Sequence, residues 1–72
     1  METEFTVIMD YDGASQIYVV RAPALRGVVS EGATEQEALE NVKDAIQEWI
    51  AARRGAGLPI TEAREYRVKV LV

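Results

Sequence analysis

The chain has 72 residues, a formal net charge of −4 at pH 7, and neither cysteine nor histidine. A chain of this length forms one small domain, residues 1–72, and its small core gives a low free energy of unfolding. The composition excludes disulfides, thiolate metal sites and histidine-dependent catalysis, and the acidic balance argues against direct binding of nucleic acid by this chain.

Alternating polarity predicts an antiparallel hairpin at the start of the chain. Apolar residues alternate with polar ones from Glu4 to Tyr11, as expected for a strand with one buried face. The segment from Ser15 to Arg21 carries apolar residues on both faces, which indicates a sheet that is covered on both sides. The dipeptide of Asp12 and Gly13 tolerates positive φ and predicts the hairpin turn.

A bend and a third strand precede the helical part of the sequence. Pro23 belongs at a strand end, because it lacks a backbone donor, and Gly27 marks a bend. Residues 28–30 then form a short third strand. Gly32 provides the turn that leaves it.

One amphipathic helix follows. Thr34 and Glu37 form a capping box at its start. The buried stripe of this helix consists of Ala38, Leu39, Val42, Ala45, Ile46, Trp49 and Ile50. The helix is expected to end near Arg53 and Arg54, whose cations suit the negative end of the helix dipole. The residues that can supply a left-handed cap are Gly55 and Gly57.

A fourth strand is predicted from Glu65 to Val72, where alternation returns. The order is then β-β-β-α-β, an α+β fold whose four-stranded, mostly antiparallel sheet carries one helix on one face. We expect the helix to cover the face of Phe5, Val7 and Met9. The opposite face is expected to present Ile8, Tyr18 and Val20, either exposed or covered by another chain. We therefore expect a homodimer or a larger oligomer.

The sequence offers little that could carry catalysis. Serine and threonine hydroxyls have no histidine to activate them, and no phosphate-binding glycine loop or zinc spacing is present. Carboxylates remain, and a metal-dependent nuclease would need acids such as Asp10 and Glu48 to meet. Ordinary roles explain the acids better: Asp12 in a turn, Glu37 in the capping box and Glu48 on a solvated face. We expect no enzyme, no metal and no cofactor.

The aromatic residues leave two interpretations open. Trp49 could anchor an interface, but its position on the apolar stripe favours the core. For Tyr18 and Tyr66 a core position and a half-wet interface are about equally compatible with the sequence.

The sequence carries no signal for a membrane or for export. No apolar run approaches the length of a membrane span. The first residues are acidic and lack the basic region of a secretion signal. We therefore expect a cytoplasmic protein with no membrane partner.

The stretch from Tyr18 to Thr61 resembles the HicB-like antitoxin family, also called UPF0150. The positions that carry the resemblance are Tyr18, Val20, Pro23, Leu25, Gly27, Ser30, Gly32, Thr34, Glu37, Ala38, Leu39, Asn41, Ala45, Ile46, Trp49, Gly57, Pro59 and Ile60. The order and spacing of these residues identify the family specifically when they are taken together, whereas a single motif such as the capping box would be weak evidence for it. Two positions depart from the family pattern: Val28 stands where cysteine is frequent, and Arg26 where proline is frequent.

The resemblance implies both a fold and a function. The fold is the HicB amino-terminal domain, a partial RNase H-like arrangement in which the last strand runs parallel to the first. Family members neutralise a small basic toxin, HicA, that cleaves mRNA, and many carry a further DNA-binding domain. Because this sequence stops at Val72, we expect a short form without that domain.

We therefore expect a HicB-like antitoxin that occludes the active surface of a HicA-like toxin. Residues proposed to steer the toxin by charge are Glu31, Glu40, Asp44 and Glu48. Residues proposed for buried contact are Tyr18, Pro23, Leu25, Arg26 and Gly27. Two alternatives stay open: an orphan oligomeric module that binds another protein or a small ligand, and, more remotely, a metal-dependent nuclease.

Overall fold

The computed structural model describes residues 4–58 and 66–71. Its elements, in chain order, are β1 (Ile8–Asp12), β2 (Ile17–Arg21), β3 (Val29–Gly32) and α1 (Glu35–Gly55). The strands form an antiparallel sheet in the order β1-β2-β3, and α1 packs against one face of it. The described part of the chain is thus an α+β fold, as predicted for these four elements.

The hairpin turn is longer than the sequence suggested. Asp12 pairs with Ile17, so residues 13–16 form the loop. The Asp12 carboxylate accepts hydrogen bonds from the Ala14 amide, at 3.0 Å, and from the Ser15 hydroxyl, at 3.0 Å. These bonds lower the pKa of Asp12 below its ordinary value. The positive φ of this loop, 57°, belongs to Gln16 rather than to Gly13. Asp12 therefore acts as the turn residue, in the role that the sequence predicted for it.

Strand register corrects the predicted division of the sheet faces. Met9 pairs with Val20, and Tyr11 pairs with Tyr18. Residues opposite each other in an antiparallel pair point to the same face, so Tyr18 and Val20 lie with Met9 on the helix side. Val20 is completely buried. The prediction that Tyr18 and Val20 join Ile8 on the uncovered face is wrong.

The core lies between this face and α1. The buried residues of this core are Val20, Ala22, Leu25, Val28, Ala38, Val42 and Ile46. Phe5, Val7 and Met9 are half-buried against them, as predicted. Trp49 also packs against this core, and the Arg53 guanidinium carbon lies 4.7 Å from its ring centroid, a cation–π contact. This placement favours the core interpretation of Trp49.

The segment between β2 and β3 places Ala22, Leu25 and Val28 in the core, while Arg26 and Gly27 stay exposed. The Ala22 amide donates to the Val28 carbonyl at 3.1 Å, which closes the loop. Inside it, the Leu25 amide donates to the Ala22 carbonyl at 3.0 Å. These bonds satisfy backbone groups in the loop and leave Leu25 only 1% exposed. The third strand begins at Val29, one residue later than predicted, because Val28 ends this loop.

The helix begins as the sequence predicted. The Thr34 hydroxyl oxygen accepts a hydrogen bond from the Glu37 amide at 3.1 Å, and Thr34 itself is extended. Just before this cap, Gly32 lies against the first turn of α1. A Cβ on Gly32 would come within 2.5 Å of the Ala38 amide nitrogen, so only glycine fits. The Asn41 side chain donates to the Glu31 carbonyl at 2.8 Å and fastens β3 to the helix.

The helix ends in a two-bond C-terminal cap. The Leu58 amide donates to the Arg53 carbonyl at 2.9 Å, and the Gly57 amide donates to the Arg54 carbonyl at 3.1 Å. This is the Schellman arrangement, and its left-handed residue is Gly57, with φ of 70°. Of the two glycines that the sequence allowed, Gly57 therefore supplies the cap.

The predicted fourth strand is not confirmed. The structure assigns no strand to residues 66–71, and their side chains are exposed. The outermost predicted positions, Glu65 and Val72, lie outside the described residues, as do Pro59 and Ile60 of the family motif. The RNase H-like assignment depends on a strand beside β1, so it is not confirmed either.

Within the described residues, no helix combines the length and the hydrophobicity that crossing a membrane requires.

Candidate functional site

The sheet face that points away from α1, here called the outer face, is the candidate site. The pairing places alternate residues of the three strands on it: Ile8, Asp10, Asp12, Ile17, Val19, Arg21, Val29 and Glu31. No described helix or strand covers this face, since α1 packs on the other side.

Apolar and acidic side chains are interleaved on the outer face. Ile8 and Val29 flank Arg21 across the sheet, and both are exposed, to 38% and 58%. In the next row, Val19 lies between Asp10 and Glu31. Apolar area that remains open on a small domain is a feature of surfaces that bind other proteins.

Charge on the outer face is predominantly negative. Three carboxylates, from Asp10, Asp12 and Glu31, share it with a single guanidinium, that of Arg21. Such a surface attracts a basic partner and disfavours a nucleic-acid backbone.

The structure separates the acids that were predicted to act together. Glu31 lies on the outer face. Glu40, Asp44 and Glu48 are all exposed and follow one another at intervals of four along α1. These three are therefore neighbours on the solvent side of the helix, across both layers of the fold from Glu31. The predicted set forms two acidic surfaces rather than one.

The residues predicted for buried contact are also divided. Leu25 belongs to the core, and Tyr18 lies under the helix with its ring 4.9 Å from that of Tyr11. Neither offers its side chain to the outer face. Pro23 is half-buried, whereas Arg26 and Gly27 are exposed at the end of the loop. Val20, predicted for an oligomer interface, is completely buried, which leaves Ile8 as the member of that set on the outer face.

The sequence reasoning missed Ile17, Val19 and Val29 as outer-face residues. The signal was present, because a hairpin loop of either two or four residues pairs odd-numbered positions of β1 with even-numbered positions of β2. Alternation alone therefore places Val20 with Met9 and Val19 with Asp10.

The acids that a metal-dependent nuclease would need are not brought together. Asp10 lies on the outer face, whereas Glu48 is exposed on the helix beyond the other face. Among the residues that the structure describes, no group of three or more acidic, histidine or cysteine residues could hold a metal ion.

Comparison with known proteins places the chain in a family. A model of the family described as UPF0150-like matches residues 4–61. A UPF0150 protein of Thermoplasma acidophilum is 39% identical over 69 residues, which is 90% of this chain and 96% of that protein. No solved structure is significantly similar to the chain. The match to the family model and the similarity to this relative, both over most of the chain, show that the chain belongs to the UPF0150 family.

Proposed function

We propose that this protein is an antitoxin-like binding protein of the cytoplasm, which neutralises a small basic toxin that cleaves mRNA. Membership of the UPF0150 family supports the proposal, because the matched range 4–61 includes the stretch from Tyr18 to Thr61 that resembles HicB-like antitoxins. The toxin would be similar to HicA. In this role the chain binds and covers its partner and performs no chemistry of its own.

The observation that carries the proposal is the outer face. It combines open apolar area, at Ile8 and Val29, with carboxylates on either side of Val19. A basic protein docked on this face would bury the apolar residues and bring its cations next to Asp10 and Glu31. Burial of apolar area supplies affinity, and the complementary charge supplies orientation.

The acidic row on the helix has a different part in this proposal. Glu40, Asp44 and Glu48 are exposed and lie away from the outer face. Exposed charges at a distance change the rate of encounter more than the stability of a complex. They would speed association with a basic toxin without contacting it.

The experiment compares capture of partners from the native lysate by matched variants. Val29→Lys places a cation on the outer face. Leu58→Lys makes the same chemical change at a residue that is also exposed, to 51%, but lies beyond the end of α1. We expect the wild type and Leu58→Lys to retain a stoichiometric small basic protein and Val29→Lys to lose it.

Inhibition of RNA cleavage decides whether this partner is a toxin. The captured protein, once separated, should cleave RNA, and an equimolar amount of the wild-type chain should suppress the cleavage. Equal capture by all three proteins would exclude the outer face as the contact surface. A captured protein with no cleavage activity, or no captured protein, would favour the orphan binding module instead.

A further inference from the structure

Arg21 is the only cation among the strand residues that form the outer face. It is the last residue of β2, and strand pairing places it between Ile8 of β1 and Val29 of β3. These two neighbours are 38% and 58% exposed, whereas Ile17 and Val19 on the same face are half-buried. A partner that buries both Ile8 and Val29 therefore also covers the side chain of Arg21.

The carboxylates nearest to Arg21 lie in the next row of the sheet. Asp10 and Glu31 flank Val19, and each is diagonal to Arg21 across a pair of strands. From the ordinary spacing of strands and of residues along them, the two acids are about 10 Å apart, and their row is about 7 Å from Arg21. The outer face therefore presents a triangle of charges, with two negative corners and one positive corner.

This triangle is complementary to a mixed surface, not to a uniformly basic one. Cations of a basic partner that pair with Asp10 and Glu31 compete for the carboxylates that could otherwise neutralise Arg21. A further cation opposite Arg21 would be repelled, and an apolar group there would cover a guanidinium that has no counter-charge. A carboxylate opposite Arg21 avoids both penalties, and the planar guanidinium can hold it by two parallel hydrogen bonds.

A second copy of this chain fits the triangle less well. Its outer face would bring the carboxylates of Asp10, Asp12 and Glu31 toward the same three carboxylates. Like charges that meet at an interface oppose binding. The charges therefore favour a different chain, one that is basic but carries an acid among its cations.

We propose that Arg21 determines the specificity of the outer face by binding an aspartate or glutamate that lies between two cations of the basic partner. This role rests on the proposed function, because it requires a basic protein to dock on the outer face. It adds that a basic protein without an acid at that point is rejected. Removal of the Arg21 charge would make the face more attractive to cations in general and yet weaken binding of the partner.

The affinity and association rate of the small basic protein that the wild type retains, measured with the purified pair by surface plasmon resonance, test this role. Arg21→Gln and Lys43→Gln change the net charge equally, and Lys43 is exposed on α1, on the other side of the sheet. We expect Arg21→Gln to weaken binding about 10- to 100-fold, as for the loss of a hydrogen bond between charged groups. Lys43→Gln should change it less than about twofold.

Two further substitutions at Arg21 define the group that it binds. Arg21→Lys should weaken binding less than Arg21→Gln, because it keeps the charge but cannot form two parallel hydrogen bonds. Arg21→Glu should abolish binding, and replacement of one aspartate or glutamate of the partner by arginine should restore it. Circular dichroism should be unchanged in all variants, because Arg21 is exposed. If no replacement in the partner restores binding, the proposal is overturned.

The outcomes separate the role of Arg21 from the function on which it rests. Binding by Arg21→Gln that is as tight as that of the wild type, or tighter, would overturn the role of Arg21 and leave the proposed function intact. A captured protein that cleaves no RNA would refute the toxin, while the measurements on Arg21 would still decide its role. Absence of a basic partner, capture that withstands Val29→Lys, or self-association that Val29→Lys abolishes would overturn the docking and the role of Arg21 together.

Discussion

Replacing Gly32 by alanine tests how closely the sheet approaches the helix. A Cβ at this position would lie 2.5 Å from the Ala38 amide nitrogen and 2.9 Å from the Ala38 Cα. These are backbone atoms of the first turn of α1, so they cannot rotate out of the way as a side chain would. The helix would have to shift away from β3 as a unit.

That shift should lower the free energy of unfolding by a large fraction of its total. Overpacking of a fixed interior costs about 1–3 kcal/mol and occasionally more, and the contact with backbone puts Gly32→Ala at the upper end, about 3 kcal/mol. A domain of this size has a free energy of unfolding of only about 4–11 kcal/mol. At about 4–8 °C per kcal/mol, the melting temperature should fall by roughly 12–24 °C.

Urea and thermal unfolding, followed by circular dichroism at equal protein concentrations, measure this loss. The matched control is Gly55→Ala, because a Cβ at Gly55 meets nothing within 4 Å and the residue is helical. This control should be neutral or more stable by up to about 1 kcal/mol, since alanine favours a helix. A Gly32→Ala protein within about 1 kcal/mol of the wild type would refute the close packing of β3 and α1.

Three further predictions concern the caps and the hairpin turn. Thr34→Ala should lower the free energy of unfolding by about 1 kcal/mol in urea titrations while Thr34→Ser preserves it, because either hydroxyl can accept from the Glu37 amide; equal losses in both would contradict this. Gly57→Ala should cost about 1–2 kcal/mol, because alanine is strained at a φ of 70°, and Gly57→Asn should cost less; a neutral Gly57→Ala would remove the left-handed cap. Ser15→Ala should raise the pKa of Asp12 toward its ordinary value in an NMR titration, since the Ser15 hydroxyl is the strongest cause of the lowered pKa. The pKa of Asp12 is lower in the folded chain than in the unfolded chain, so its contribution to stability is present above the unfolded pKa and is lost as the pH falls through the folded pKa. An unchanged pKa of Asp12 in Ser15→Ala would contradict the turn geometry.

The sequence predicted those parts of the fold that neighbouring residues decide among themselves. Thr34 and Glu37 are three positions apart, and of the two bonds of the predicted capping box the structure shows the one from the Glu37 amide to the Thr34 hydroxyl. The helical stripe, except for Leu39, which is 46% exposed, and the half-buried side of Phe5, Val7 and Met9 follow from periodicity, which is a property of each element alone. The hairpin also follows, since Asp12 bonds within its own turn.

Only part of the candidate site could be predicted from the sequence. Glu31 was singled out, and the structure places it on the outer face. Val19 was missed although the hairpin loop placed it on the face of Asp10. Val29 was missed because its face depends on the pairing of β2 with β3, which loop length does not give. Leu25 was predicted for buried contact with the partner, as one residue of the segment 23–27. Here that loop closes on itself and buries Leu25.

Local interactions and periodicity were therefore enough to predict the three strands of the structure, the helix and its N-terminal cap, because each depends on residues a few positions apart, whereas the predicted fourth strand is not confirmed. Tertiary structure alone decided two things: that Leu25 joins the core, and that Val29 and Glu31 share the outer face with Val19. Both depend on contacts between different segments of the chain. An alternating segment predicts that a strand is possible, but a strand forms only where a neighbouring strand pairs with it.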